Sequence, residues 1–165
     1  MATALPVPIE FRLPEAWLPA DPEGDGASGV AFAAVHRQAD AGFTANITID
    51  GEYRPDTATL DELADESVER LREVADSVVV THRREVDYPD APALIQRLAF
   101  STGTDDARRD LVQSQVYLPM LDLADSRKRA VVRLALTATA AQHDTVLGDF
   151  QDFVRTVRPG AGAEG

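Results

Sequence analysis

The sequence predicts an α+β domain: an antiparallel sheet of about six or seven strands with two amphipathic helices packed on it, in the order βββαββββα. Three observations carry this. Phe43, Ala45, Ile47 and Ile49 alternate with Thr44, Asn46, Thr48 and Asp50, the period-two pattern of a strand with one buried and one wet face. After Thr59 the apolar period becomes helical. Beyond that helix, connections rich in Gly, Asp or Pro separate four more strand-like runs and suit hairpins. The 165 residues and 17.8 kDa match one domain, large enough to bury a core without cross-links.

In chain order, Pro8-Ile9-Glu10-Phe11-Arg12-Leu13-Pro14 alternates between two prolines and reads as a short edge strand, where proline is tolerated. Residues 14–29 read as a loop carrying the sole tryptophan, Trp17. Val30–His36 reads as a strand of small residues, and a turn at Asp40, Ala41 and Gly42 leads into the strand 43–50. Thr59 and Glu62 form a capping box, each side chain satisfying a free backbone donor of the first turn. Leu60, Leu63, Ala64, Val68, Leu71 and Val74 or Ala75 then make an apolar stripe on a helix from Leu60 to about Asp76. Strands follow at Val78–Val86, Ala93–Ser101, Asp110–Leu118 and Arg129–Thr139. Asp144 caps a last helix whose inner face is Leu147, Phe150, Val154 and Val157, and Pro159 ends it. The expectation is one domain over residues 1–159 and a mobile tail at 160–165.

Composition excludes several classes of function. With no cysteine, disulfides, thiol nucleophiles and iron–sulfur ligation are ruled out. Twenty-eight acidic residues against sixteen Lys and Arg give a net charge of −12 and a pI near 4.5, which opposes nucleic acid and anionic lipid. No apolar run approaches the ~20 residues of a membrane span, and residues 1–10 show no signal-peptide pattern. A soluble cytoplasmic protein is expected.

The search for chemistry finds little. His36, His82 and His143 lack metal-ligand spacing: the first two fall on separate strands, the third just before the last helix. His36 and His82 would have to meet across a sheet face, beside a carboxylate, to make a site. Asp21-Pro22-Glu23-Gly24-Asp25-Gly26 places acids at positions one, three and five of a calcium loop, but position twelve is Phe32 instead of glutamate, and the loop reads as a solvated turn. Ser114 lies mid-strand without an identifiable base, and no nucleophile or phosphate-loop signature occurs. The sequon Asn46-Ile47-Thr48 is part of a strand. Arg83-Arg84, Arg108-Arg109 and Arg127-Lys128-Arg129 balance nearby acids. No catalytic residue, metal or cofactor is expected.

What remains is the sheet. Ala31, Ala33, Ala34, Ala130, Ala135 and Ala138 lower its profile, either for close helix packing within the chain or for a shallow groove. If a groove exists, Thr44, Asn46, Thr48, Arg97, Gln113, Gln115 and Arg133 border or floor it, since their alternation sets them opposite the clearest apolar faces.

Five stretches together carry a resemblance: Phe11-Arg12-Leu13-Pro14-Glu15-Ala16-Trp17, Ala45-Asn46-Ile47-Thr48-Ile49, Gln113-Ser114-Gln115-Val116-Tyr117, Leu134-Ala135-Leu136-Thr137-Ala138-Thr139, and the closing helix with Phe150, Phe153 and Val154. With the helix after Thr59, the pattern resembles the PsbP-like fold group. That group includes extrinsic subunits of photosystem II, a Ran-binding import factor, DcrB-like and LpqN-like bacterial proteins, and Eag-type chaperones of type VI secretion.

The resemblance implies a non-catalytic binding module, an adaptor or chaperone for a partner protein. In the Eag-type likeness the client is an amphipathic or transmembrane-like helix of a secreted effector, docked in a sheet groove that a homodimer would frame. Two rivals remain: a small-molecule binder or hydrolase with a pocket between sheet and helix, and a structural subunit of a larger assembly.

Overall fold

The computed structural model describes residues 9–20, 32–38, 43–54, 59–87, 92–103, 108–121 and 129–159. The acidic loop 21–26 and the tail 160–165 lie outside them. Among the described residues the elements run β1 (Ile9–Glu10), β2 (Trp17–Ala20), β3 (Phe32–His36), β4 (Asn46–Arg54) and α1 (Leu60–Arg72), then β5 (Asp76–Asp87), β6 (Pro92–Thr102), β7 (Arg109–Leu121), β8 (Arg129–Thr139), α2 (Ala140–Thr156) and β9 (Arg158–Pro159). Seven of the strands form one antiparallel sheet in the order β2-β3-β4-β8-β7-β6-β5. The other two, β1 and β9, pair with each other through Ile9↔Pro159 and Glu10↔Arg158.

The helices lie on opposite faces. In antiparallel pairing, residues directly opposite one another share a face, so the register fixes which side each points to. One row runs Leu98, Gln113, Thr137, Asn46, Val35 and Leu18 on the α1 side. Another runs Arg97, Ser114, Leu136, Ile47, Ala34 and Pro19 on the α2 side. The α2 side holds the larger core: Ile47, Ile49, Val132, Leu134 and Leu136 from the sheet, packed on Val146, Phe150, Phe153 and Val154. Phe150 and Phe153 are both buried, each contributing ~2 kcal/mol or more by burial. The α1 side has two smaller clusters, Leu63, Ala64, Leu94, Tyr117 and Val131 in one, Val68, Val78, Leu98, Phe100 and Leu111 in the other.

The capping box forms as the sequence predicts: the Glu62 amide donates to Thr59 Oγ1 at 3.1 Å, and Glu62 Oε1 accepts from the Thr59 amide. α1 ends at Arg72, before the expected Asp76, because β5 begins there.

Three further expectations are corrected. Trp17 opens β2 and is buried, its Nε1 donating to Asp149 Oδ2 at 3.0 Å. The first segment joins β9 and not the main sheet; α2 ends at Thr156, and Pro159, expected to end that helix, pairs with Ile9. α2 starts at Ala140 with Thr139 as its cap, Oγ1 accepting from the Gln142 amide at 3.1 Å, and Asp144 lies inside the helix. Strand and helix are continuous there because Ala140 and Ala141 favour helix and Thr139 serves both as last strand residue and first cap. Among the described residues no helix is long and apolar enough to cross a membrane.

Ser77 enters β5 with φ 57°, the left-handed region that a side chain makes costly. Ser77→Gly relieves that cost and offsets it partly by unfolded-state entropy. The expected gain is about 0.5 kcal/mol in chemical denaturation; a loss of stability would show that Ser77 is unstrained.

Candidate functional site

On the α1 side the sheet carries a continuous polar network. Gln96 Nε2 donates to Gln115 Oε1 at 2.8 Å and to the Ala64 carbonyl at 3.1 Å. Its Oε1 accepts from Arg83 Nε at 3.0 Å and Nη2 at 2.7 Å. Arg83 Nη1 reaches out to Asp65 at 2.8 Å. Gln115 also accepts from the Tyr117 hydroxyl at 2.8 Å and donates to Gln113 Oε1, while Gln113 Nε2 donates to Thr137 Oγ1 at 2.8 Å. Because the Tyr117 proton goes to Gln115, Ser67 donates to Tyr117 and accepts from Arg133 Nη1 at 2.9 Å. Arg133 Nη2 donates to Asp50 at 2.6 Å.

Burial raises the Tyr117 pKa and keeps it a neutral phenol. Burial opposes the charge on Arg133, but the Asp50 carboxylate beside it holds its pKa above the ordinary arginine value.

Six of the seven residues the sequence offered for a groove belong to this side. Asn46, Thr48, Gln113, Gln115 and Arg133 do so by register, and the exposed Thr44 keeps their parity just before β4. Gln115 is buried within the network; Asn46, Thr48, Gln113 and Arg133 are half-buried. Arg97 lies on the opposite face, opposite Ser114. Alternation gives parity within a strand; only register relates the parities of two strands, so sequence could not separate Arg97 from the rest. The alanines divide too: Ala33 and Ala135 face the α1 side, Ala34, Ala130 and Ala138 the other.

α1 packs on β5 and β6 and reaches Tyr117 and Val131, leaving the strip β3–β4–β8 beside it. Across that strip runs the row of small side chains Ala33, Thr48 and Ala135. It is flanked by half-buried Asn46, Thr137 and Val35, with Leu18 exposed beyond them.

The α2 side holds a cleft of about 300 Å³ between the helix and β5–β7. Val86, Ile95, Val116, Leu147, Phe150 and Val154 line its apolar part, and His82, Arg97, Ser114, Gln151 and Arg155 its polar part.

His143, expected before the last helix, is a buried residue of α2 whose Nε2 is hydrogen bonded to Ser114 Oγ at 2.9 Å. Its Nδ1 stands 3.6 Å from the exposed Asp144 carboxylate, longer than a hydrogen bond. Ser114 therefore has a base in reach, which the sequence did not reveal. The strand amides around it are committed to the ladders with β6 and β8, so none is free to hold a developing oxyanion. The pair satisfies a buried imidazole. His36 and His82 face the same side but are separated by β4, β8, β7 and β6, roughly 24 Å at ~4.8 Å per strand. Among the described residues no group of three or more His, Asp or Glu side chains could hold a metal.

Burial, reinforced by the charge of Arg97, lowers the His143 pKa below its ordinary 6.5 and outweighs Asp144. The folded state therefore prefers the neutral ring. This contribution is fully present above pH 6.5 and is lost as pH falls from there toward the lowered folded-state value. Denaturation between pH 5 and 8 should show that loss, and a flatter profile in His143→Gln; parallel profiles would contradict it. Ser114→Ala, by orphaning the imidazole nitrogen, is expected to cost about 1–3 kcal/mol. Gln115→Leu strands donors or acceptors on Gln96, Tyr117 and Gln113, and a loss of about 2–3 kcal/mol in the same assay is expected.

No protein-family model and no curated protein matches the sequence. Solved structures do. LpqN of Mycobacterium tuberculosis, described as involved in cell envelope biogenesis, superposes with a TM-score of 0.61 at 13% identity, covering 92% of this chain and 84% of its own. The cyanobacterial PsbP (CyanoP) of Synechocystis gives 0.58 at 16% identity, over 92% and 86%. The Ran-binding protein Mog1p of Saccharomyces cerevisiae gives 0.58 at 15% identity, over 92% and 89%. These likenesses span nearly the whole chain and agree with the strand order, so the chain has the PsbP-like fold.

Proposed function

We propose that the chain is a non-catalytic protein-binding module, an adaptor or chaperone that holds an apolar helical segment of a partner such as a secreted effector, and that it works in the cytoplasm. The observation behind this is the strip β3–β4–β8 beside α1, where half-buried Thr48 and the buried Ala33 and Ala135 keep the sheet surface low between half-buried Val35, Asn46 and Thr137. Three strands span about 10 Å between the outer two axes, which is the width of one α-helix. A helix laid there packs small residues against its ridge and meets Val35 and Leu18 with apolar side chains. Thr44, Asn46, Thr48, Gln113 and Arg133 would border it, and Gln115 would hold the floor rigid through its network. A second copy of the chain could close over the bound segment. The Ran-binding protein among the structures of the same fold supports a protein partner.

Affinity capture from the native host with the intact chain tests this. One partner carrying an apolar helix should elute in near-equal amount, and removing that helix should abolish capture. Thr48→Arg, which places a long cation in the strip, should reduce capture at least tenfold while leaving the melting temperature unchanged. An empty eluate, or capture indifferent to Thr48→Arg, would overturn the reading.

A further inference from the structure

The α2-side cleft is a second concavity that helical docking on the other face leaves unused. Its floor changes character along the strands. One cross-strand row presents His82, Arg97 and Ser114, and the next presents Ile95 and Val116, with exposed Arg84 at its β5 end, outside the cleft lining. Leu147, Phe150 and Val154 of α2 recur at helical spacing and form the wall beside both rows. The sheet floor is thus polar in one row and apolar in the next, with Gln151 and Arg155 beside the apolar residues of the wall.

Arg97 decides what the polar row can take. Its Nε is buried and has no hydrogen-bond partner. Among the described residues no carboxylate stands within ion-pair distance of Arg97, and none of those lining the cleft is an Asp or Glu. The other arginine lining the cleft, Arg155, already has Asp152 at 2.7 Å. The Arg133 Nε is similarly unpaired, but its terminal nitrogens reach Ser67 and Asp50. A half-buried guanidinium without a counter-ion is costly, and in a chain of net charge −12 acids are not scarce. The geometry that relieves it is a carboxylate on the guanidinium fork.

We infer that this cleft binds an apolar monocarboxylic acid, with the carboxylate on Arg97 and the hydrocarbon over Ile95, Val116 and the α2 wall. One unpaired cation balances one negative charge; a doubly charged head group would leave an excess facing apolar side chains. At the ~30 Å³ that a water molecule occupies in the liquid, a cleft of about 300 Å³ holds roughly ten heavy atoms. Octanoate has that size. This site and the protein-docking strip lie on opposite faces, and neither reading depends on the other.

Calorimetric titration of the full chain at pH 7.5 with octanoate and, separately, 1-octanol tests the assignment. Saturable one-to-one binding of octanoate is expected, with octanol at least tenfold weaker for want of the charge-assisted contact. Arg97→Gln should bring acid and alcohol to the same weak affinity. Leu147→Trp, at a half-buried position on the wall, should exclude both while Arg97 stays in place, and it serves if Arg97→Gln fails to fold by circular dichroism. No saturable octanoate binding, equal affinity for the two probes, discrimination that survives Arg97→Gln, or octanoate binding unchanged in Leu147→Trp would each overturn the proposal.

Discussion

Strand β8 is buried along its α2 face and, on the other, at Val131 and Ala135 between half-buried Arg133 and Thr137, and the rest of the fold is arranged to meet that requirement. Val132, Leu134, Leu136 and Ala138 turn toward α2, Val131 and Ala135 toward the other side, and all are buried. A strand of this kind needs partners along both edges and cover above and below. β4 and β7 supply the edges, α2 covers one face directly after the chain turns at Thr139, and α1 with its polar network borders the other. Continuity of β8 with α2 makes the packing of these two elements local, while Trp17, Ile47 and Ile49 join the same core from far upstream. α1 directly precedes the strands it packs on, β5 and β6, and is joined to the sheet as much by hydrogen bonds as by apolar packing.

The two faces consequently differ in chemistry. On the α2 side, Trp17 is paired with Asp149 and His143 with Ser114, while the buried Arg97 Nε has no partner. On the α1 side, Gln96 and Gln115 occupy core positions and spend most of their hydrogen-bonding capacity on each other and their neighbours. Such a network fixes relative positions strictly, because a small displacement of one member strands several others. Of the cations contributing to it, Arg83 sits inward of its acid Asp65, and Arg133 is half-buried together with Asp50.

Much of this was legible in the residues. The alternation of Phe43 to Asp50 and the Thr59–Glu62 box placed β4 and the start of α1, and the apolar run after Arg129 placed β8 with its bounds. Trp17 was misread because prolines and glycines around it signal loop, whereas pairing with His36 makes it strand. The network was hidden for a different reason. Gln96 and Gln115 have the parity of buried neighbours, a visible signal, but their contact depends on register between strands that a single strand's pattern does not encode. The same gap put Arg97 with residues on the other face. His143 was missed because Thr139 does double duty and moves the helix start ahead of Asp144.

Both outer strands of the sheet are built against extension. β5 is long, but its register breaks between Asp76 and Val79 and again between Val80 and His82, and it carries Arg83, Arg84 and Glu85. β2 at the other end spans only Trp17–Ala20 and includes Pro19, which has no amide hydrogen to offer. Bulges, charges, brevity and proline are the means by which β-proteins discourage strangers from adding a strand. Crowded in a cell or concentrated in a tube, copies of this chain should therefore resist lengthening one another's sheets into fibres. Whatever does associate with the domain has to approach it broadside, across side chains rather than along the backbone.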